Sequence, residues 1–279
     1  MATGENINGL VKEYRALGID SQIDFEKFHT YAIIAHSTAI EGSTLTVEEN
    51  RILLDDGITI KGKSAVEQMM NLDLRDAYAV GRKAAEERRP VTVEYLKELS
   101  ATTMRRTGSK YKTITGTFDA SKGDLRLTNV TAGYGGRSYI SFTKVPGRLQ
   151  EFCDWLNQQR EQMHAMTPEE IYVLSFRAHL HLVTIHPWAD GNGRTARLLM
   201  NQIQFEGDII PTVVLKEDRA DYIAALKKSQ ESDDETAFIL FMKELQTRNL
   251  KDDIRNFKKS MKNDLRNLMP TKKKRTPGL

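Results

Sequence analysis

One stretch constrains the fold more than any other. Residues 168–185, PEEIYVLSFRAHLHLVTI, are apolar on nearly every face of a 3.6-residue period, and such a helix is stable in water only when other elements surround it. Thr167 and Glu170 have the spacing of a capping box, and Pro168 falls at the first helical position, where its missing N–H costs nothing. Similar start signals stand at Thr46/Glu49, Ser64/Glu67 and Ser232/Glu235. Further helices are expected near residues 24–41, 64–88, 93–106, 145–160, 194–206, 218–230 and 234–268, and TVEENRILLDD reads as an acidic, capped helix. The chain is therefore mainly α. The exception is 113–143, where TITGTF, LRLTNV and SYISF alternate with glycines 116, 123, 133, 135 and 136 and suggest a hairpin or irregular flap.

Composition narrows the setting. The net charge is +3, but residues 251–279 hold ten Lys/Arg against three Asp, which leaves the remainder four charges negative. The end, TKKKRTPGL, reads as a solvated tail, so nucleic acid is not the expected partner. A single cysteine, Cys153, excludes an intrachain disulfide framework, and its setting in EFCDWL suggests a buried, inert thiol. There is no visible signal peptide and no apolar run of about 20 residues. The expected setting is the cytoplasm, with no membrane contact.

The chemistry gathers in HLVTIHPWADGNGRTARLLMNQI. His186 ends the apolar helix, and Pro187 turns it away from helical geometry. A new helix follows, with Ala196, Leu199, Met200 and Ile203 on its buried face. Gly191, Asn192 and Gly193 then lie at a helix N-terminus, where free N–H groups and the dipole favour an anion. Arg194 and Arg197 are three apart and share a face. Asp190 offers an oxygen ligand of the kind Mg²⁺ takes beside phosphates. His186 can accept a proton from a hydroxyl near neutral pH. A base, a metal ligand, an anion cradle and two arginines within twelve residues fit phosphate-ester transfer.

HPWADGNGRTAR resembles the signature of the Fic domain family, His-Pro-aromatic-x-Asp/Glu-Gly-Asn-Gly-Arg-x-x-Arg, with every position met. The likeness extends over residues 25–250. It implies a Fic-type helical bundle with a β-hairpin flap at about 123–142 beside the active site. The implied organisation is an N-terminal helical region (1–90), a core (91–250), and a C-terminal helix with basic tail (251–279). The implied activity is transfer of AMP from ATP to a Ser, Thr or Tyr hydroxyl of a target protein. His186 would be the base, Asp190 the ligand of Mg²⁺ (or Mn²⁺), and Gly191, Asn192 and Gly193 the anion hole. Arg194 and Arg197 would hold the outer phosphates. GDLR at 123–126, followed by Val130, resembles the entry to the family's flap, on which the target docks, and Gly133 within it would approach the nucleotide. Pro211, Arg219, Tyr222, Ala225 and Leu226 resemble a later helix, with Tyr222 near the adenine.

STAIEG at 37–42 resembles the family's inhibitory helix, in the arrangement that places it N-terminal to the core. Ser37 and Glu41 face one way, and Glu41 is expected to pair with Arg194 and so deny it to ATP. Glu41 could also orient a water that removes AMP from modified targets. The alternatives are a Fic-like transferase of another phosphate-containing group and a non-catalytic regulatory or DNA-associated protein. Homo-oligomerisation is left open. GITIKGKS at 57–64 matches the P-loop pattern literally, but it follows a helix and no βα alternation surrounds it, so Ser64 is better read as a helix cap.

Overall fold

A computed structural model describes residues 6–132 and 136–268, without the side chains of 263–268. The helices, in order, are α1 (Ile7–Ala16), α2 (Phe25–Ile40), α3 (Val47–Asp55), α4 (Ala65–Glu86), α5 (Val93–Thr103), α6 (Val145–Glu161), α7 (Pro168–Ile185), α8 (Asn192–Glu206), α9 (Arg219–Ser232) and α10 (Thr236–Leu268). Strands β1 (Lys110–Thr113) and β2 (Gly116–Asp119) form an antiparallel pair, in register from Lys110 opposite Asp119 to Thr113 opposite Gly116.

Helix α7 is the buried axis. Tyr172, Phe176, Ala178 and Leu182 are fully enclosed, and α6, α8, α10 and α1 pack around it. The neighbour α8 is nearly as enclosed, through Ala196, Leu198, Leu199 and Met200, and α4 covers its other side. Buried apolar side chains from Ile7 to Ile254 belong to one continuous core, so the helices before residue 90 and those after it share an interior. At about 1.5–3 kcal/mol for each large apolar side chain buried, this core is the main force holding α7 and α8 in place.

The start signals hold unevenly. Thr46/Glu49 and Thr167/Glu170 form complete capping boxes. Ser64 accepts from the Glu67 amide at 3.2 Å and caps α4, which leaves the P-loop-like segment as a plain connection. The Glu67 carboxylate accepts from the Ser64 hydroxyl through Oε1 at 3.0 Å and from the Thr44 amide and hydroxyl through Oε2. At Ser232 the expectation fails: α9 runs through it, its hydroxyl donates to the Lys228 carbonyl, and Asp234 caps α10 in its place. Helix α1 lies outside the expected helices, although Ile7, Leu10, Val11 and Tyr14 have helical spacing and line its buried face. The regular hairpin also lies earlier than expected. It occupies 110–119, while 123–142 contains an isolated bridge, Thr131 with Ser138, beside a Tyr139 N–H to Val130 carbonyl bond of 3.1 Å. Cys153 is buried and its thiol is pushed up to about 12 by desolvation, as expected of an inert group. No described helix is long and apolar enough to cross a membrane.

Candidate active site

The turn between α7 and α8 is held by its own side chains. His186 closes α7 in the left-handed region, with φ of 53° and ψ of 60°, which a non-glycine residue adopts only when its surroundings enforce it. Arg126 does so, donating from Nε to the His186 carbonyl at 2.8 Å and from its amide to the Pro187 carbonyl at 3.0 Å. Trp188 is fully buried and its indole N–H donates to the Gly123 carbonyl at 3.2 Å. The Asn192 carboxamide bridges the loop, accepting from the Trp188 amide at 3.1 Å and donating to the Trp188 carbonyl at 2.9 Å. Asn192 therefore braces the turn with its side chain and offers its backbone amide to an anion. Gly191 has φ of 79°, and a Cβ there would lie 2.7 Å from Met104 Sδ.

The first intrahelical bond of α8 is made by the Thr195 amide to the Gly191 carbonyl at 2.9 Å. The amides of Asn192, Gly193 and Arg194 precede it and have no carbonyl one turn back within the helix. Arg194 is buried, and its Nε and Nη1 have no hydrogen-bond partner. Its Nη2 lies 3.4 Å from Asp190 Oδ1. Asp190, whose side chain is 56% exposed, stands at the mouth of the turn, with Oδ1 also accepting from the Gly191 amide. Among the described residues no group of three His, Cys, Asp or Glu converges. A lone, accessible carboxylate beside an anion cradle fits a cation that shares its coordination with substrate phosphates.

Helix α2 lies across this turn. Glu41 pairs with Arg197, where Nη2 is 2.7 Å from Oε1, and not with Arg194 as the sequence suggested. The correction has a geometric cause: α2 crosses α8 one turn inside it, so Arg197 also donates from Nε to Ser37 Oγ and from Nη2 to the Ser37 carbonyl, both at 2.9 Å. Glu41 Oε1 lies 2.8 Å from the position a Cβ on Gly193 would take. A carboxylate thus rests on the glycine of the turn. Burial raises the Glu41 pKa, but the guanidiniums of Arg197, Arg194 and Arg219 outweigh it and hold the group below its ordinary value. Arg219 also clamps the end of α2, donating to the Ile40 carbonyl at 2.7 Å.

The His186 imidazole lies under the Tyr139 ring, with centroids 3.8 Å apart and planes 16° from parallel. The Val183 carbonyl lies close to the ring, and the buried Nδ1 has no partner in regular hydrogen-bond geometry. Desolvation is the largest influence on the ring; with the Arg126 charge it outweighs the Val183 carbonyl, Asp190 and Glu41, and the pKa falls to about 4. The imidazole is therefore neutral near pH 7 and able to accept a proton.

Tyr222 is buried at 1% exposure, not open to a base, and its hydroxyl lies 3.4 Å from Arg197 Nη1 and 2.8 Å from His179 Nε2. It reaches the site through Arg197. Gly133 lies outside the described residues. Sequence reading missed Tyr139 and His179. Alternation in SYISF signals a strand but not which face meets His186, and His179 looks like one more member of an apolar helix.

Comparison with known proteins adds three findings. The model of the Fic/DOC family matches residues 90–204. The chain is 31% identical over 204 residues to protein adenylyltransferase fic-1 of Caenorhabditis briggsae and 31% over 209 residues to protein adenylyltransferase Fic of Drosophila grimshawi. These matches cover 70% and 72% of this chain but 36% and 38% of the relatives, so the chain spans little more than a third of their length. Among solved structures, residues 134–508 of Fic-1 from C. elegans superpose with a TM-score of 0.72 at 23% identity, covering 91% of this chain and 72% of that one. A Fic domain containing signaling protein from Bacteroides thetaiotaomicron gives 0.72 at 23%, covering 91% and 97%. At that identity the likeness is one of fold.

Proposed function

Residues 90–204 belong to the Fic/DOC family, and on that premise we propose that this chain transfers AMP from ATP to a hydroxyl of a target protein and is restrained by its own Glu41. The observation that carries the reading is the Arg194 guanidinium, buried with two N–H donors unanswered beside the glycine turn. Buried donors without partners are rare because each forfeits its hydration. Phosphate oxygens would answer them.

In this reading the polyphosphate lies on the amides that open α8, with Arg194 on its outer oxygens. The target hydroxyl gives its proton to the neutral His186. Its oxygen bonds to the α-phosphorus as the bond to the bridging oxygen breaks, leaving AMP on the target and releasing pyrophosphate. Asp190 would hold a Mg²⁺ ion, which when bound supplies charge neutralisation for the phosphates. The target lies along the flap by strand addition, which asks little of its sequence.

Glu41 opposes this twice. Its carboxylate sits on Gly193, where a phosphate would bring like charge, and it holds Arg197 in an ion pair. The relatives' names support the transfer, and the position of Glu41 supports the restraint. The test is incubation with α-labelled ATP and Mg²⁺, comparing wild type, Glu41→Gly, and Glu41→Gly with His186→Ala. Label on protein in the second alone is expected. Label arriving on protein from γ-labelled ATP but not from α-labelled ATP would replace this reading with phosphoryl transfer.

A further inference from the structure

Arg126 is an unusual occupant of the interior. It is 1% exposed, and burial lowers its pKa, with no acidic neighbour among the described residues to offset the cost. Its charge is met by three backbone carbonyls: Nε donates to His186 at 2.8 Å, Nη1 to Thr128 at 2.9 Å and Nη2 to Ile140 at 2.6 Å. A cation buried against dipoles alone is an expensive staple, and apolar packing would fasten a loop at lower cost. What it gains is a rigid planar fork that spans three points at once. Those points are the peptide of the histidine and both limbs of the flap. The limbs close on each other through Tyr139 N–H to the Val130 carbonyl and the Thr131–Ser138 bridge. The residue before Ile140 is Tyr139, whose ring covers the imidazole.

We propose that Arg126 is a positioning residue that couples the flap to His186, fixing the histidine's peptide directly and its ring through Ile140 and the Tyr139 stack. This deepens the adenylyl-transfer reading and rests on it for its consequence: a target strand laid on the flap sets the plane of the base. The anion cradle is braced separately, by Asn192 on the Trp188 backbone, so the coupling acts on turnover and not on ATP binding.

The test uses the full chain with ¹³C-labelled histidine rings, His186→Ala assigning the resonance. The Tyr139 ring current displaces the His186 signals, and Tyr139→Leu removes that displacement. Arg126→Lys keeps the charge but cannot span three carbonyls, and it is expected to move the His186 signals toward their Tyr139→Leu positions. In the Glu41→Gly background both variants should lose about 10- to 100-fold in turnover, the scale of a misplaced reacting group, with ATP affinity held within about twofold. An unmoved His186 resonance in folded Arg126→Lys overturns the proposal, as does ATP affinity falling in step with turnover. If Arg126→Lys does not fold, Tyr139→Leu decides: full turnover there overturns the coupling. If Glu41→Gly itself transfers no AMP, the adenylyl-transfer reading fails, and the resonance comparison still judges Arg126.

Discussion

Arg197 and Glu41, 156 positions apart in sequence, meet at 2.7 Å, while Arg194, one turn earlier on the same face of α8, keeps two buried donors unanswered. Two arginines of one motif are thus in opposite states, one satisfied by the end of α2 and one with two buried donors unsatisfied. The predictions about the site follow from that contrast.

Glu41→Gly should raise AMP transfer by about 10-fold or more, since removing the carboxylate from Gly193 and the ion pair from Arg197 needs to lower the barrier by only about 1.4 kcal/mol to do so. Glu41→Gln keeps the volume but removes the charge, and should fall between the two. Labelled transfer to protein is the measurement. Equal rates for all three chains would remove the inhibitory role.

Arg194→Met and Arg197→Met should differ in stability. Arg194 gains little from its present surroundings, so its replacement by a packing side chain should leave Tm unchanged or raise it while abolishing ATP binding. Arg197→Met strands Ser37 and Glu41. It should cost about 2 kcal/mol, less than a fully buried pair because about a third of Glu41 meets water. Thermal unfolding with and without ATP reads both. A comparable loss of Tm in the two variants would contradict the assignment.

Local chemistry explains what could be read from the chain alone. The Thr167/Glu170 box and Pro168 fix the start of α7 because every group involved lies within four residues. Ser232 carries the same signature and fails, because the Ser229 carbonyl accepts from Asp233, Ser229 Oγ accepts from Phe238, and Glu235 is drawn to Arg177 on α7. The HPWADGNGR turn is legible for the same reason as α7. The choice between Arg194 and Arg197 is not, since spacing places both on one face and only the crossing of α2 decides between them. Tyr139 is invisible for a further reason: its role depends on a flap closed by Arg126, a side chain that reaches 60 positions along the sequence.

Trp188→Ala should destabilise the chain by about 3–5 kcal/mol, the usual cost of removing a large buried aromatic. The indole fills the core beneath the turn and donates to Gly123. Trp188→Phe keeps most of the volume and loses the hydrogen bond, so it should cost less than half as much. Urea unfolding measures both. A Trp188→Ala chain as stable as wild type would mean that the turn is held from elsewhere.

Acid should weaken the fold through its desolvated histidines before most of its carboxylates titrate. His179 is fully buried and its pKa is pushed down to about 3 by desolvation and the Arg197 charge; that of His186 is pushed to about 4. Above about pH 6.5 both are neutral in native and unfolded chains, and neither adds a pH dependence. As pH falls below that value the unfolded chain binds protons that the native one refuses, so stability declines by up to about 1.4 kcal/mol per pH unit for each histidine. Glu41 acts lower. Its native pKa is depressed, so its contribution is intact above its ordinary value and is lost only as pH falls through the native one. Between about pH 5 and 6.5 the desolvated histidines, His29 included, lower stability toward acid, while Asp253, whose pKa burial raises to about 6, opposes them because its native carboxyl takes up a proton that the unfolded one refuses. His179→Gln can keep the Tyr222 hydroxyl partnered but removes one titrating group. Unfolding free energy measured by urea from pH 5 to pH 7 should fall less steeply toward acid in that variant than in wild type. Parallel curves would show that His179 is protonated in the native protein.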